Sequence, residues 1–364
     1  MSVRVPFVDL HLAEESAAVH EAIGRVIDRA WFVLGPEVEA FEQEFAAASG
    51  TPYAVGVGNG TDALALILRA LGIGAGDEVV TTPLSAAYTA IAIVMAGARP
   101  VFADIDPERL TLDPAAADRA ITSRTAALLP VHLYGQPADM AAFATLASRR
   151  GIALVEDCCQ AHLATCAGQP VGTFGAAGAF SFYPTKNLGA LGDGGAVLTR
   201  DAALAARVGR LRNGGQADRY RHVEIGINSR LDEMQAAILR TRLPQLRART
   251  EQRRALAARY RSLLDGAAIA VPPEMDPGHV YHLFPIRARQ RAALQDRLHA
   301  SGIETLVHYP TPISQQPAFE SLYPADCPHA VRAAGEVLSL PLYPGLAATT
   351  VATVAEAVRK ESSS

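Results

Sequence analysis

The sequence predicts an α/β fold in which a large domain with a mainly parallel mixed sheet is followed by a smaller α+β C-terminal domain. Its 364 residues are enough for two domains of about 150 residues each. Hydrophobic residues make up 49% and charged residues 19%, which is typical of a globular chain and excludes disorder. Short apolar runs alternate with alanine-rich helical stretches from about residue 53 to residue 199, as in βα units.

Seven apolar runs are predicted to form the strands of the large sheet: 53–57, 78–82, 99–103, 126–131, 153–156, 177–182 and 195–199. Helical patterns lie between most of them, for example over 62–71 and 138–149. This alternation favours a sheet covered by helices on both faces. Ligands of such sheets bind at the carboxyl ends of the strands.

A helical pattern from 230 to about 264, despite Pro244, is expected to carry the chain out of the large domain. Beyond it the sequence predicts a strand, a helix and a second strand, over 281–287, 289–301 and 304–308. We therefore expect an N-terminal arm and large cofactor-binding domain over 1–245 and a small C-terminal domain over 246–364.

The charge of the chain favours a small-molecule substrate. A net charge of -4 gives no electrostatic reason to expect a nucleic acid or an anionic membrane as partner. The longest uncharged stretch, 79–98, is interrupted by polar residues and Pro83, so it is predicted to be a buried strand and core helix rather than a membrane span.

Four cysteines show neither CxxC nor metal-ligand spacing, so we expect no metal site and a reducing compartment: Cys158, Cys159, Cys166 and Cys327. Arg4 and Asp9 interrupt the only stretch that could form a signal peptide, and a cytoplasmic location is therefore expected.

Residues 56–62, Gly-Val-Gly-Asn-Gly-Thr-Asp, form a glycine-rich turn between a predicted strand and a predicted helix. Such a turn can present backbone N–H groups and a helix N-terminus to a phosphate, with Thr61 adding a hydroxyl. A dinucleotide-binding fingerprint would require glycine in place of Thr61. A plain turn with Thr61 as the helix N-cap is an equal alternative.

The strand over 153–157, Ala-Leu-Val-Glu-Asp, delivers the carboxylate of Asp157 at its carboxyl end, shortly before Gln160 and His162. A carboxylate there can hold a proton on a heteroaromatic nitrogen, as a pyridine cofactor requires. The alternative is that Asp157 caps a following helix.

The third motif surrounds Lys186, in the stretch Phe-Ser-Phe-Tyr-Pro-Thr-Lys-Asn-Leu-Gly over 180–189. The chain has only two lysines, Lys186 and Lys360, while arginine supplies the other positive charges. A lysine kept in a turn of such a protein favours chemistry that needs an amine able to lose its proton, such as Schiff-base formation.

A phosphate cup, a carboxylate and an amine nucleophile are together the requirements for pyridoxal 5′-phosphate. The chain also resembles the DegT-like nucleotide-sugar aminotransferases, which have the aspartate-aminotransferase fold (fold type I). Six runs carry the resemblance most clearly, and it extends over nearly the whole chain: 32–42, 58–64, 130–140, 156–162, 180–197 and 226–239.

The resemblance implies that Lys186 forms the Schiff base, that Asp157 binds the pyridine nitrogen and that Gln160 lies near the 3′-hydroxyl of the cofactor. The remaining implied cofactor contacts, the last of them from the neighbouring subunit of a homodimer with shared active sites, are Gly60, Thr61, Asp62, Ser181 and Asn228. Where the family has an aromatic residue on the cofactor ring this chain has Ala86, so Tyr88 is the candidate for that contact.

One subgroup is most similar, the enzymes that aminate C3 of dTDP-3-keto-deoxyhexoses. It implies that Tyr183 and His308 lie near the sugar, and that Arg219 and Tyr220 approach it from the partner subunit. For His308 and Tyr220, a polar interdomain surface is the competing interpretation.

The expected reaction is the transamination of a nucleotide-linked keto-deoxysugar, for which the resemblance implies a dTDP-3-keto-6-deoxyhexose as substrate and glutamate as amino donor. Relatives that act as dehydratases lack the lysine, so Lys186 argues against that reaction. Amination of a 4-keto-sugar or a cyclitol, and a non-catalytic regulatory role on the same fold, are the alternatives.

Overall fold

The computed structural model describes residues 4–11 and 15–362. Residues 1–3, which belong to the stretch considered for a signal peptide, lie outside this range. Within it, no helix has both the length and the apolar character needed to cross a bilayer.

Twelve α-helices are present in the described chain. In order they are α1 Ser16–Arg29, α2 Pro36–Ala48, α3 Gly60–Ala70, α4 Tyr88–Met95, α5 Pro114–Ala120, α6 Met140–Arg150, α7 Ala202–Leu211, α8 Glu233–Arg242, α9 Leu246–Leu264, α10 Arg291–Ala300, α11 Pro328–Glu336 and α12 Ala348–Ser362. Three short 3₁₀ turns accompany them, at Leu133–Gly135, Leu243–Gln245 and Ile313–Gln315.

Thirteen strands are present in the same residues. They are β1 Tyr53–Val57, β2 Glu78–Thr81, β3 Arg99–Phe102, β4 Thr125–Leu129, β5 Ala153–Asp157, β6 Thr165–Cys166, β7 Gln169–Pro170, β8 Ala177–Ser181, β9 Gly195–Thr199, β10 Gln216–Asp218, β11 Arg221–His222, β12 Phe284–Arg287 and β13 Val337–Leu340.

The large sheet has seven strands in the order β1-β9-β8-β5-β4-β2-β3. Strand β9 is antiparallel to both β1 and β8, and the other neighbours are parallel, so the sheet is mixed but mainly parallel. All seven strands predicted from the sequence are confirmed, with ends that differ by at most two residues. The two example helices are confirmed as α3 and α6.

Both faces of this sheet are buried, which explains why its strands are continuous apolar runs. Val79 and Val80 are neighbours on β2, and both are fully buried. Val79 packs in a cluster with residues of α3, α4 and α7, while Val80 packs with residues of α5 and α6. The stretch considered as a membrane span is therefore β2 followed by the core helix α4.

The predicted long helix over 230–264 is wrong in one respect, because the 3₁₀ turn Leu243–Gln245 divides it into α8 and α9. Pro244 has no N–H to donate and its ring hinders a regular helix there. The N-terminal segment, which the sequence assigned to the large domain, pairs through Val5 with Ile303.

After α9, the antiparallel pair β12–β13 packs with α9, α10 and α12 around a separate apolar cluster. The predicted strand over 304–308 is wrong, since only an isolated bridge joins Leu306 to Ser339. Beyond this bridge the backbone no longer pairs with β13, and the carbonyl of His308 instead accepts a hydrogen bond from Tyr134 in the large unit.

Candidate active site

Three of the motifs meet where β1 leads into α3 and where β5 and β8 end. Gly60 begins α3 and packs directly against the other two motifs. A Cβ atom on Gly60 would lie 2.6 Å from Cys159 Sγ and 2.9 Å from Ser181 Cβ, so a larger residue would displace them. The N-terminus of α3 is therefore held against the ends of β5 and β8, as the sequence predicts.

The glycine-rich turn is closed by hydrogen bonds among its own residues and Ser229. Asn59 caps α3 by accepting from the Asp62 N–H at 2.9 Å, so the alternative in which Thr61 is the N-cap is wrong. The Asp62 carboxylate accepts from Ser229 Oγ at 2.6 Å, and the Ser229 hydroxyl accepts from the Gly58 N–H at 2.9 Å. Among the described residues the hydroxyl of half-buried Thr61 has no partner and can bind a ligand.

Asp157 lies at the carboxyl end of β5 and is 5% exposed. One carboxylate oxygen accepts from Thr89 Oγ1 at 2.7 Å, and the other accepts from the Cys159 N–H at 3.1 Å. No α-helix begins between Asp157 and β8, so the helix-cap interpretation of Asp157 is wrong. Thr89, a buried residue of α4, was not identified from the sequence, because 68 residues separate it from its partner.

Lys186 lies in the loop after β8 and is half-buried. Its amine has no hydrogen bond or salt bridge to any residue of 4–11 or 15–362. Burial lowers the pKa of the Lys186 amine, and the neighbouring Cys159 and Asp157 partly oppose that effect. A lowered pKa and a free lone pair are what an amine needs to act as a nucleophile or to accept a proton.

Gln160 is buried and its amide has a defined orientation. Its Oε1 atom accepts from the Tyr134 N–H at 2.7 Å, and its Nε2 donates to the hydroxyl of Tyr309 at 3.2 Å. Burial raises the pKa of Tyr309 to about 12, with Asp157 and Tyr88 among the groups close enough to contribute. Tyr309 therefore belongs to the site, although sequence reasoning identified only its neighbour His308 as a candidate.

The small unit contributes His308 to the same region. Burial and the positive charge of Lys186 lower the pKa of His308 to about 4, so its imidazole is neutral at physiological pH. Its Nδ1 atom is hydrogen-bonded to Ser339 Oγ at 3.0 Å. Two other candidates lie open to solvent beside this region, since Tyr183 is 52% and Tyr88 is 64% exposed.

The candidates assigned to a partner subunit are all exposed within one chain. Arg219 and Tyr220 form the tip between β10 and β11, where the Arg219 guanidinium lies 5.1 Å from the centroid of the Tyr220 ring. Asn228 is exposed and adjoins Ser229, which binds the glycine-rich turn of its own chain. Among the described residues, no hydrogen bond, salt bridge or ring contact joins Arg219 or Tyr220 to Lys186.

A buried cluster beside Asp157 has the residue types of a metal site, since ligand atoms of His132, Glu156 and Cys158 lie within 4.8 Å of one another. His132 Nδ1 accepts from the Ala138 N–H at 3.0 Å, so Nε2 carries the proton that it donates to Glu156 at 3.2 Å. Glu156 also accepts backbone N–H groups of residues 172, 174 and 175. The cluster is therefore a hydrogen-bonded anchor for that turn.

A sequence model of the DegT/DnrJ/EryC1/StrS aminotransferase family matches residues 13–359. The chain belongs to this family. The family resemblance found in the sequence is thereby confirmed, and so is the expected enzyme class, a nucleotide-sugar aminotransferase.

Two relatives of this family member illustrate its similarity. It is 48% identical to a dTDP-3-amino-3,4,6-trideoxy-alpha-D-glucose transaminase of Streptomyces venezuelae, over 98% of this chain and 96% of the relative. It is also 48% identical to the erythromycin biosynthesis sensory transduction protein EryC1 of Saccharopolyspora erythraea, over 94% and 95%.

A solved structure agrees with the fold of this family member. The crystal structure of S. venezuelae DesV in complex with a ketimine intermediate has a TM-score of 0.95 and 48% identity, covering 99% of this chain and 98% of that one. The predicted fold type I architecture is confirmed.

Proposed function

We propose that this enzyme uses pyridoxal 5′-phosphate to transaminate a nucleotide-linked keto-deoxysugar in aminosugar biosynthesis. The observation that carries the proposal is the half-buried, unpaired amine of Lys186 beside the buried carboxylate of Asp157. The DesV-like relatives support a dTDP-3-keto-6-deoxyhexose as substrate. Glutamate is the proposed amino donor.

The residues present fit this cofactor. Gly60 leaves room where any side chain would clash, and the Thr61 hydroxyl is unpaired, so the N-terminus of α3 with Ser181 can bind a phosphate. Asp157 can bind the pyridine nitrogen and Gln160 Nε2 the 3′-hydroxyl. Asp62 shapes the phosphate-binding turn through its bonds to Asn59 and Ser229.

When bound, pyridoxal phosphate supplies an aldehyde for amine exchange and a ring that accepts electrons from an adjacent carbanion. Lys186 would hold the cofactor through its Nζ atom, and its amine, when free, would serve as the general base and acid of the site. Burial supports this role, because it lowers the proton affinity of the amine. Asp157 stabilises positive charge on the ring nitrogen, and Thr89 holds Asp157 in place.

His308 and Tyr183 are proposed to bind the sugar. His308 is neutral because its pKa is about 4, so it can form a hydrogen bond to a sugar oxygen without repelling Lys186. We place Arg219 and Tyr220 of the partner subunit near the nucleotide, since their exposed hairpin can reach across an interface. Tyr88 remains our candidate for the aromatic residue that contacts the face of the cofactor ring.

We further propose a homodimer in the cytoplasm, with a large domain over 1–245 and a small domain over 246–364. The turn at Pro244 and the separate apolar cluster formed by residues after it, which Val5 joins from the N-terminal segment, support this boundary. Four free cysteines are consistent with a reducing compartment.

The substrate is tested by offering dTDP-3-keto-sugars, dTDP-4-keto-sugars and a cyclitol ketone to the pyridoxamine-loaded protein. The expected result is that the 3-keto-sugar alone returns the absorbance of the pyridoxal form. If a 4-keto-sugar or a cyclitol ketone restores the absorbance of the pyridoxal form, that compound class is the substrate instead. No return with any ketone would favour a regulatory role, which the name of the EryC1 relative suggests.

The shared site is tested with hybrid dimers of Lys186→Ala and Asn228→Ala subunits. If Asn228 serves the partner's phosphate, mixing places both lesions in one site and leaves the other intact. Activity should then exceed that of either parent homodimer. Unchanged activity in demonstrably mixed dimers, after the Asn228→Ala homodimer is shown to be impaired, would mean that Asn228 serves its own chain.

A further inference from the structure

Tyr134 occupies a strained turn between β4 and α6. Its side chain is buried, yet its backbone has φ 60° and ψ 5°, a left-handed conformation that non-glycine residues rarely adopt. Gly135 follows with φ 91°, and a Cβ there would lie 2.9 Å from the backbone nitrogen of His282. A turn of this kind persists only where its surroundings hold it, and such strain is common at functional sites.

Two hydrogen bonds hold Tyr134, and they lead to different parts of the candidate site. Its backbone N–H donates to Gln160 Oε1 at 2.7 Å, in the large unit. Its hydroxyl donates to the carbonyl oxygen of His308, in the small unit. Burial raises the pKa of the Tyr134 hydroxyl, so it remains protonated and stays a donor at physiological pH.

The first bond fixes which end of the Gln160 amide faces the site. Because a backbone N–H can only donate, the atom of Gln160 that it contacts must be the oxygen. The Nε2 group is then presented to the hydroxyl of Tyr309, at 3.2 Å. The second bond fixes the backbone immediately before Tyr309, on the segment that carries the His308 ring.

We propose that Tyr134 is a positioning residue for the nucleotide-sugar, which sets the His308–Tyr309 segment against the Gln160 amide. This inference rests on the proposed function, in which His308 binds the sugar. Tyr134 itself contacts neither Lys186 nor Asp157 among the hydrogen bonds of the described chain. Its hydroxyl should therefore affect sugar binding while leaving the amino-donor reaction intact.

The test compares Tyr134→Phe with Tyr260→Phe in the holoenzyme. Tyr260 is a matched control, because it is fully buried and its hydroxyl also donates to a backbone carbonyl, that of Pro341 at 3.0 Å, inside the small unit. We expect Tyr134→Phe to raise the KM for the nucleotide-sugar about tenfold, equivalent to ~1.4 kcal/mol. Cofactor content and the rate of the glutamate half-reaction should stay at wild-type values.

Both variants should lower the melting temperature, whereas only Tyr134→Phe should change the KM. A double-mutant cycle with His308→Ala adds a second readout, since the effect of Tyr134→Phe on KM should disappear when the His308 ring is absent. If the wild type is active and the two variants have equal KM values, the inference is wrong. It is also wrong if the effect of Tyr134→Phe on KM is undiminished in the His308→Ala background. Failure of the wild type to aminate any keto-sugar would instead refute the proposed function.

Discussion

Replacing Asp157 by Asn removes one negative charge from the end of β5 and little else. Asn has the same shape, and its amide oxygen can still accept from Thr89 or from the Cys159 N–H. We expect the variant to fold and to bind the cofactor, because Lys186 and the phosphate-binding turn are unchanged. It should lose most of its activity, because an amide cannot stabilise a protonated pyridine nitrogen.

The size of the loss follows from the burial of Asp157, which is 5% exposed. For an ion pair at a hydrogen-bond distance of about 2.8 Å and an effective dielectric constant of about 20, Coulomb's law gives about 6 kcal/mol. The Asn oxygen retains part of this through its dipole. We therefore expect a rate loss of about 10³- to 10⁴-fold.

Single-turnover absorbance measurements of each half-reaction would give these rates, with cofactor content measured separately. Asp276→Asn is the matched control, since Asp276 is also buried and accepts backbone N–H groups, at 2.8 Å from Ala167 and 2.7 Å from Gly278. It should reduce stability and leave the half-reactions near wild type. A turnover of Asp157→Asn within about tenfold of wild type would refute the charge argument.

Three further predictions concern the same region. Lys186→Ala should abolish transamination, and borohydride reduction of the wild type should leave the cofactor on the peptide that contains Lys186; a label on any other peptide would contradict the assignment. Thr89→Val removes a buried hydrogen bond to Asp157 worth about 1.5–3 kcal/mol, so the rate should fall at least tenfold, and Thr89→Ser should restore it. Burial, together with the Lys186 charge, lowers the pKa of His162 from 6.5 to about 3, so below pH 6.5 the unfolded chain binds a proton that the folded chain does not. The free energy of unfolding should therefore fall as the pH drops from 6.5 towards 3, and urea titrations should show a weaker fall in His162→Phe; an unchanged slope would show that His162 is not the group responsible.

The central strands of the large sheet were predictable because both of their faces are buried. Val79 and Val80 face different clusters and are both apolar, which makes a continuous run that stands out in the sequence. The segment over 304–308 has similar composition, but its partner strand and its route to the site depend on tertiary contacts. The effect of Pro244 also depends on tertiary contacts, because a proline in a helical stretch can produce either a 3₁₀ turn or a kink.

Within the candidate site, Lys186 and Asp157 could be found because the sequence itself shows a rare lysine and an acid at a strand end. Thr89, Tyr134 and Tyr309 could not be found in this way. Each acts through a contact with a residue far along the chain, as in the pairing of Tyr134 with His308, 174 positions away. Threonine and tyrosine are also common in purely structural positions, so their residue types carry little information alone.

Glu156 and Asp157 show how a strand can keep two identical chemical groups from interfering with each other. Successive side chains of β5 point to opposite faces of the sheet, so Asp157 faces Thr89 and the candidate site while Glu156 faces His132 and the 172–175 turn. The sheet thus separates the Asp157 carboxylate, which must remain available to a ligand, from the Glu156 carboxylate, whose oxygens already accept hydrogen bonds. A shift of β5 by a single residue would turn each of these carboxylates to the opposite face of the sheet. The hydrogen bonds of Glu156 therefore also keep Asp157 on the face that carries the candidate site.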